Sequence, residues 1–389
     1  MKSIDTDKVL NRIHSELAKN NGSKNLNKGL MAGDLSQILF YFYFNKYYKI
    51  DSTIEIEKIL ENNFTNINDK FYGMSLSVGL SGLSFIANFL IKNKMIDEND
   101  IDLELINSEI VSFSSTELIK SNYDYLHGGL GGIMHLNNYN DVDNFIELIY
   151  NNKVQINKNE ITLYNLSDSG IKERSSNLGL AHGLSSLVIV LSNLFEKTSK
   201  KNMCLELVSG LLTFILKQKR HNKLSLYPNI ANNSNENDAG GRLAWCNGDL
   251  GIASAFWQAG KIFNNESWKD EAIDIMVFNS KRRGLAMNGL SDACFCHGTS
   301  GIAHIFNRFY LETKVPDFNS ARQYWINETI KKADFENTEC VFKTWESSDM
   351  RFQNDFGLLN GITGVGLTLL GFLSDNIEDL SWDKSLLLS

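Results

Sequence analysis

Four short strings in this 389-residue chain hold residues that could do chemistry, and each ends on a glycine. Tyr123-Asp124-Tyr125-Leu126-His127-Gly128 offers a carboxylate and an imidazole, and Leu180-Ala181-His182-Gly183 a second imidazole. Arg242-Leu243-Ala244-Trp245-Cys246-Asn247-Gly248 offers a guanidinium and a thiol. Cys294-Phe295-Cys296-His297-Gly298 offers two thiols and an imidazole. Two thiolates and one imidazole suit Zn2+, which takes sulfur and nitrogen ligands in tetrahedral array. Cys246, Cys296 and His297 are the expected ligands. Three protein ligands leave a fourth position for water or substrate, as catalytic zinc sites do. A cysteine taken singly is more often a small buried apolar side chain than a ligand. Ligation is favoured here because Cys246 and Cys296 hold the same place before their glycines. Cys294 is the alternative ligand.

His182 has no cysteine beside it and is the expected proton carrier, since an unperturbed imidazole titrates near neutral pH. Asp124 is read as the group that orients or charge-stabilises it, although aspartate also caps helices often. Arg242 could stabilise a developing oxyanion; the plain alternative is a surface arginine paired with a carboxylate. His127 is a second candidate for the proton carrier.

The elements that must position these strings show as a repeat. A glycine, two residues, a small residue and an apolar run recur seven times. The copies begin at Gly33, Gly79, Gly128, Gly183, Gly248, Gly298 and Gly361, about 46 to 65 residues apart, a step that fits two helices and their connections. The runs after the glycines, such as Ile252 to Trp257 and Val365 to Leu370, are apolar nearly all round, as a buried helix is. Amphipathic stretches such as Trp268 to Phe278 and Arg322 to Lys332 lie between them. The expected fold is all-α, an α/α toroid of seven helical hairpins with the glycine turns at one mouth. Both end copies carry the apolar signature, where an open solenoid would have polar caps. The polar stretch 137–177 is read as an inserted, peptide-contacting module, with alternating strand-like patterns at 153–156 and 160–164. His221 to Gly241, rich in Asn and Gly, is expected to be a long loop.

Composition narrows the class. Only two prolines, Pro228 and Pro316, favour helices, and an apolar share of 43% supports a large core. A net charge of -8 without a basic stripe argues against nucleic acid as a partner. No apolar run approaches the roughly 20 residues of a membrane span. The polar start at Met1 to Leu10 and an odd count of five cysteines point to a cytoplasmic protein without a disulfide framework.

Gly179-Leu180-Ala181-His182-Gly183, Trp245-Cys246-Asn247-Gly248 and Cys296-His297-Gly298 together resemble the lanthionine synthetase C family, and Arg242 and Asp124 also match its pattern. The resemblance spans the seven turns from Gly33 to Gly364. It implies an α/α toroid with zinc held by Cys246, Cys296 and His297, His182 as acid/base, and Asp124 and Arg242 in support. It further implies a cyclase that adds cysteine thiols to dehydroalanine or dehydrobutyrine, forming thioether rings. The substrate would be a precursor peptide first acted on by a dehydratase. Asn247 stands where the family commonly has tyrosine, and Ser186 where it often has glycine. Two other readings are weighed: a prenyltransferase-like enzyme, which would need a carboxylate ligand, and a protein acting on glutathione or another thiol.

Overall fold

The computed structural model describes residues 3–20, 29–64, 73–134, 138–164, 175–221, 223–231 and 241–389. Helices dominate these residues, and the only sheets among them are two two-stranded hairpins. No helix among them is long and apolar enough to cross a membrane.

A buried helix follows each of the seven turns: Leu35–Tyr48, Leu80–Lys92, Leu130–Ile133, Leu184–Leu194, Asp249–Ile262, Thr299–Thr313 and Ile362–Ser374. The turn glycine sits directly before the helix at Gly79, Gly183, Gly298 and Gly361, in extended backbone. Gly248 is different: its φ of 103° lies in the region that favours glycine. The small residue three places further on has its own reason. A Cβ at Gly301 would lie 1.9 Å from the Phe295 carbonyl oxygen, and one at Gly364 2.0 Å from that of Leu358. Ser36 and Ser186 occupy this place in the first and fourth turns, and each hydroxyl donates back to its own turn glycine's carbonyl. Ser186 therefore ties back to its own turn where glycine would only make room.

Amphipathic helices alternate with the buried ones, including Lys201–Lys217, Glu266–Ser280 and Pro316–Ile330. Pro316 starts the last of these, where its missing N–H costs nothing. A polar side chain opening a buried helix reaches the end of the following amphipathic helix in three repeats. Asn63 donates to Asp34 at 3.1 Å, Asn279 to Asp249 at 3.0 Å, and Thr329 to Thr299 at 2.8 Å. All six residues are buried, so each hairpin is closed by a shielded polar bond.

The chain divides into two compact units. The first comprises Met1–Gly73, Ser77–Ile96 and Ser280–Lys384. In it, Ile362–Ser374 of the seventh repeat packs on Leu35–Tyr48 of the first and on Thr299–Thr313 of the sixth. Backbone bonds join its turns: Met31 N–H to Ser77 O, Leu358 and Leu359 N–H to Met31 O, and Cys296 N–H to Leu359 O. The second unit comprises Met74–Leu76, Asp97–Asn279 and Ser385–Ser389 and holds the third to fifth turns. In it, Leu184–Leu194 packs on Asp249–Ile262 and on Lys201–Lys217.

Within 137–177, residues 135–137 and 165–174 lie outside the described part. Tyr139–Asn151 is a helix whose Val142, Phe145, Ile146 and Ile149 are wholly buried. The strand-like patterns form the first hairpin, Val154–Asn157 with Glu160–Thr162. It is fastened to Lys201–Lys217 by the Lys217–Glu160 ion pair and by Ile161 set against Gly210. Of the expected 221–241 loop, 222 and 232–240 are outside the described residues; Lys223 to Ala231 runs without helix and makes one bridge, Ile230 to Asn177.

Candidate functional site

The second unit holds Asp124, His182, Arg242 and Cys246. Asp124 uses its two carboxylate oxygens differently. Oδ1 accepts the backbone N–H groups of Leu126 and His127, both at 2.8 Å, which fixes the carboxylate on its own turn. Oδ2 lies 2.6 Å from His182 Nδ1. Burial pushes the Asp124 carboxyl up, but the hydrogen bond and charge of His182, together with the His127 N–H and charge, hold it below the usual range. The His182 imidazole is raised, first by the Asp124 hydrogen bond; burial opposes this, and the Asp124 charge and the Cys246 sulfur add to it. The structure thus brings together the two residues that the sequence paired.

The His182 turn is fixed to the Cys246 turn by the backbone. The Cys246 carbonyl accepts Leu180 N–H at 2.9 Å and Ala181 N–H at 3.0 Å. Gly179 is needed beside it, since a Cβ there would lie 2.7 Å from the Cys246 carbonyl oxygen. Arg242 is exposed and makes no hydrogen bond or ion pair among the described residues. His127 is exposed, with its ring centroid 6.1 Å from that of His182 and nearly parallel to it.

Asp249 escaped the sequence reading. Wholly buried one residue after Gly248, it accepts the N–H groups of Leu226 and Tyr227 at 2.9 and 3.0 Å as well as Asn279. It ties the start of the helix behind Cys246 to the segment leading towards Arg242. An aspartate on an otherwise apolar run, repeated at Asp34, was the available signal.

The first unit holds Cys296 and His297, both half-buried, and the wholly packed Cys294. Asp292 organises this turn: Oδ1 accepts Cys294 N–H at 3.0 Å and Oδ2 accepts Trp345 N–H at 2.8 Å. Trp345 belongs to a second hairpin, Lys343–Glu346 with Arg351–Asn354, which the sequence reading missed. Its alternation of polar residues with Trp345 and Phe352 around a polar turn was the signal.

Among the described residues, Asp292, Cys294 and His297 form a set of donors within one unit that could hold a metal ion, their donor atoms within 4.8 Å of one another. The expected trio draws Cys246 from the second unit and Cys296 and His297 from the first. All the thiols are free, so none is withdrawn from ligation by a disulfide. Two thiols and an imidazole fit zinc by donor chemistry.

A family model, lanthionine synthetase C-like protein, matches residues 24–387. The chain belongs to that family. Among solved structures it is similar to nisin cyclase, with a TM-score of 0.73 and 20% identity over 98% of this chain and 96% of that one. This likeness shows the fold, the all-α toroid expected from the seven turns. An inactive α-1,6-mannanase variant of Salegentibacter sp. HEL1_6 in complex with α-1,6-mannotriose has a TM-score of 0.45 and 10% identity, over 96% of this chain and 99% of that one. Cellobiose 2-epimerase from Bacillus thermoamylovorans B4167 has 0.44 and 12%, over 95% and 100%. Scores that low carry nothing about this chain's function. No similar sequence was found among curated proteins.

Proposed function

We propose that this protein is a zinc-dependent peptide cyclase. It would act in the cytoplasm on a precursor dehydrated by a separate dehydratase, adding cysteine thiols to dehydroalanine or dehydrobutyrine. The observation that carries the reading is the Asp124–His182 pair, 2.6 Å apart, with the His182 turn bonded through the backbone to Cys246. Family membership and the likeness to nisin cyclase support it.

Cys246, Cys296 and His297 would hold the zinc. When bound, the metal would lower the substrate thiol's pKa so that sulfur reacts as a thiolate at neutral pH. In the addition a C–S bond forms at the β-carbon, the C=C π bond opens towards the amide, and one proton reaches the α-carbon. Asp124 holds His182 by Nδ1 and favours its charged form, which leaves Nε2 as the atom that moves the proton. Arg242, which is exposed, would face the negative charge building on the amide oxygen. The stretch 137–177 would contribute to holding the peptide.

The test is ring formation on a dehydrated peptide, read as loss of alkylatable thiol against a no-enzyme control. His182→Asn should keep its zinc and cyclise roughly 10²- to 10⁴-fold more slowly. A wild-type rate in that variant would remove His182 from the chemistry, and loss of zinc would make it a ligand.

A further inference from the structure

The third residue before the turn glycine is buried without exposure in all seven copies: Leu30, Leu76, Tyr125, Leu180, Trp245, Phe295 and Leu358. It is aromatic in only three, and these are the turns of Asp124, Cys246 and Cys296. All three aromatics meet one short stretch of chain. Tyr125 donates its hydroxyl to the Ser385 carbonyl at 2.9 Å, and Trp245 its indole N–H to the Leu386 carbonyl at 2.9 Å. The Phe295 ring lies edge-on to Trp382, with centroids 5.6 Å apart.

That stretch is itself held firmly. Leu380, Trp382, Asp383, Ser385, Leu386 and Leu387 are wholly buried. Asp383 accepts from Arg308 Nη1 at 3.0 Å and lies 2.7 Å from His304 Nε2, both on the buried helix Thr299–Thr313 behind Cys296. Gln258, on the buried helix behind Cys246, donates to the Leu388 carbonyl at 2.7 Å. Packing alone does not account for this arrangement. Apolar side chains fill the same place in the other four turns, whereas Tyr125 and Trp245 make directed bonds that fix both ring and backbone.

We infer that Ser385–Leu388 is a positioning element for the proposed site: through Tyr125 and Trp245 it sets where Asp124 and Cys246 stand. The inference rests on the cyclase reading. Catalytic groups must be held closely, and a displacement of about 1 Å can cost some hundredfold in rate.

Trp245→Phe and Tyr125→Phe each remove one directed bond and keep a ring. Tyr43→Phe is the control: it removes a 2.9 Å contact with Ser381, just upstream, from a helix whose turn carries none of the proposed chemistry. Each variant is compared with wild type in melting temperature, in the absorption spectrum of the Co2+-loaded protein, and in kcat and KM for cyclisation. Trp245→Phe should lower kcat about ten- to a hundredfold, with KM little changed, and alter the Co2+ spectrum. Tyr125→Phe should lower kcat and leave the spectrum alone. Tyr43→Phe should lower the melting temperature only. If Trp245→Phe and Tyr125→Phe behave like Tyr43→Phe, the stretch merely stabilises the fold and the inference is wrong. If wild type takes up no Co2+ and forms no rings, the cyclase reading itself fails, and the inference with it.

Discussion

Replacing Asp124 by asparagine separates orientation from mere presence of His182. The carboxylate has two jobs: one oxygen takes two backbone N–H groups at 2.8 Å, and the other faces His182 Nδ1 at 2.6 Å. An amide has a single acceptor oxygen. The backbone donors are fixed on the turn, so the amide oxygen of the D124N variant stays with them and its NH2 turns to His182. Nδ1 must then accept, which puts the neutral imidazole's proton on Nε2, the wrong atom for receiving one. A hydrogen bond to a charged group is worth roughly 1.5–3 kcal/mol. The His182 side chain is 38% exposed, so solvent screening favours the lower end, about 1.5–2 kcal/mol. That alone is about 10- to 30-fold in rate. With the tautomer reversed, the expected loss in kcat is about 10²- to 10³-fold.

The pH profile gives a second reading. The Asp124 hydrogen bond raises His182, and burial opposes it. Whichever limb of the profile reports His182, D124N should move it to lower pH. Stability follows from the same sign. A histidine raised in the folded state contributes stability fully below its unfolded value near 6.5, lost as pH rises through the folded value. The melting-temperature gap between wild type and D124N should therefore narrow as pH rises through that value. Cyclisation is assayed from pH 5 to 9 at constant zinc occupancy. A D124N enzyme with wild-type kcat, or with its limb unmoved, would refute the orienting role.

Zinc content should distinguish the two donor sets: Cys296→Ala should lose the metal and Cys294→Ala keep it, and the reverse result would put Cys294 in the site. Gly301→Ala should destabilise by about 2–3 kcal/mol in urea unfolding, because its Cβ would meet the Phe295 carbonyl at 1.9 Å; an unchanged midpoint would show that the turn can shift. Burial lowers His304 despite the Asp383 hydrogen bond that raises it. A histidine lowered in the folded state takes up its proton mainly on unfolding, so stability should fall as pH drops below about 6.5. His304→Gln should flatten that slope between pH 7.5 and 5.5, and an equally steep slope would rule His304 out as its source.

The candidate site was legible because its residues share a local frame. Cys246, Cys296, His182 and His297 could each be placed by counting back from a glycine, and Asp124 lies on the same kind of turn. The buried helices were legible from apolar runs too continuous for a half-exposed surface. What escaped depends on distant partners. Asp249 reaches the 226–227 backbone, Asp34 reaches Asn63, and Asp292 gathers the second hairpin. No periodicity within a window reports such pairs. The helix at Tyr139–Asn151 is a different case. Its Val142, Phe145, Ile146 and Ile149 have helical spacing, but they are embedded in a stretch whose asparagines and aspartates read as a polar insert.

Accessibility along the turn explains how seven similar turns can carry different chemistry. The third residue before the glycine is fully buried in every copy, and it is always a large apolar or aromatic side chain. The residue immediately before the glycine is never buried: it is Ala32, Val78, His127, His182, Asn247, His297 and Asn360. Between them sits the residue whose backbone joins one turn to the next, as with Met31, Cys246, Cys296 and Leu359. Its side chain is half-exposed only at Cys246 and Cys296, and buried at Met31, Ser77, Leu126, Ala181 and Leu359. Changing the residue before the glycine therefore leaves both the packing position and the backbone bonds untouched. Chemistry can be added there at little cost to folding, whereas a change three places earlier disturbs the core. Asn247 differs in part. It is half-buried like most residues of this place, but its amide oxygen is buried against Gly179, so the residue there bears on how its turn meets the His182 turn as well as on what approaches it.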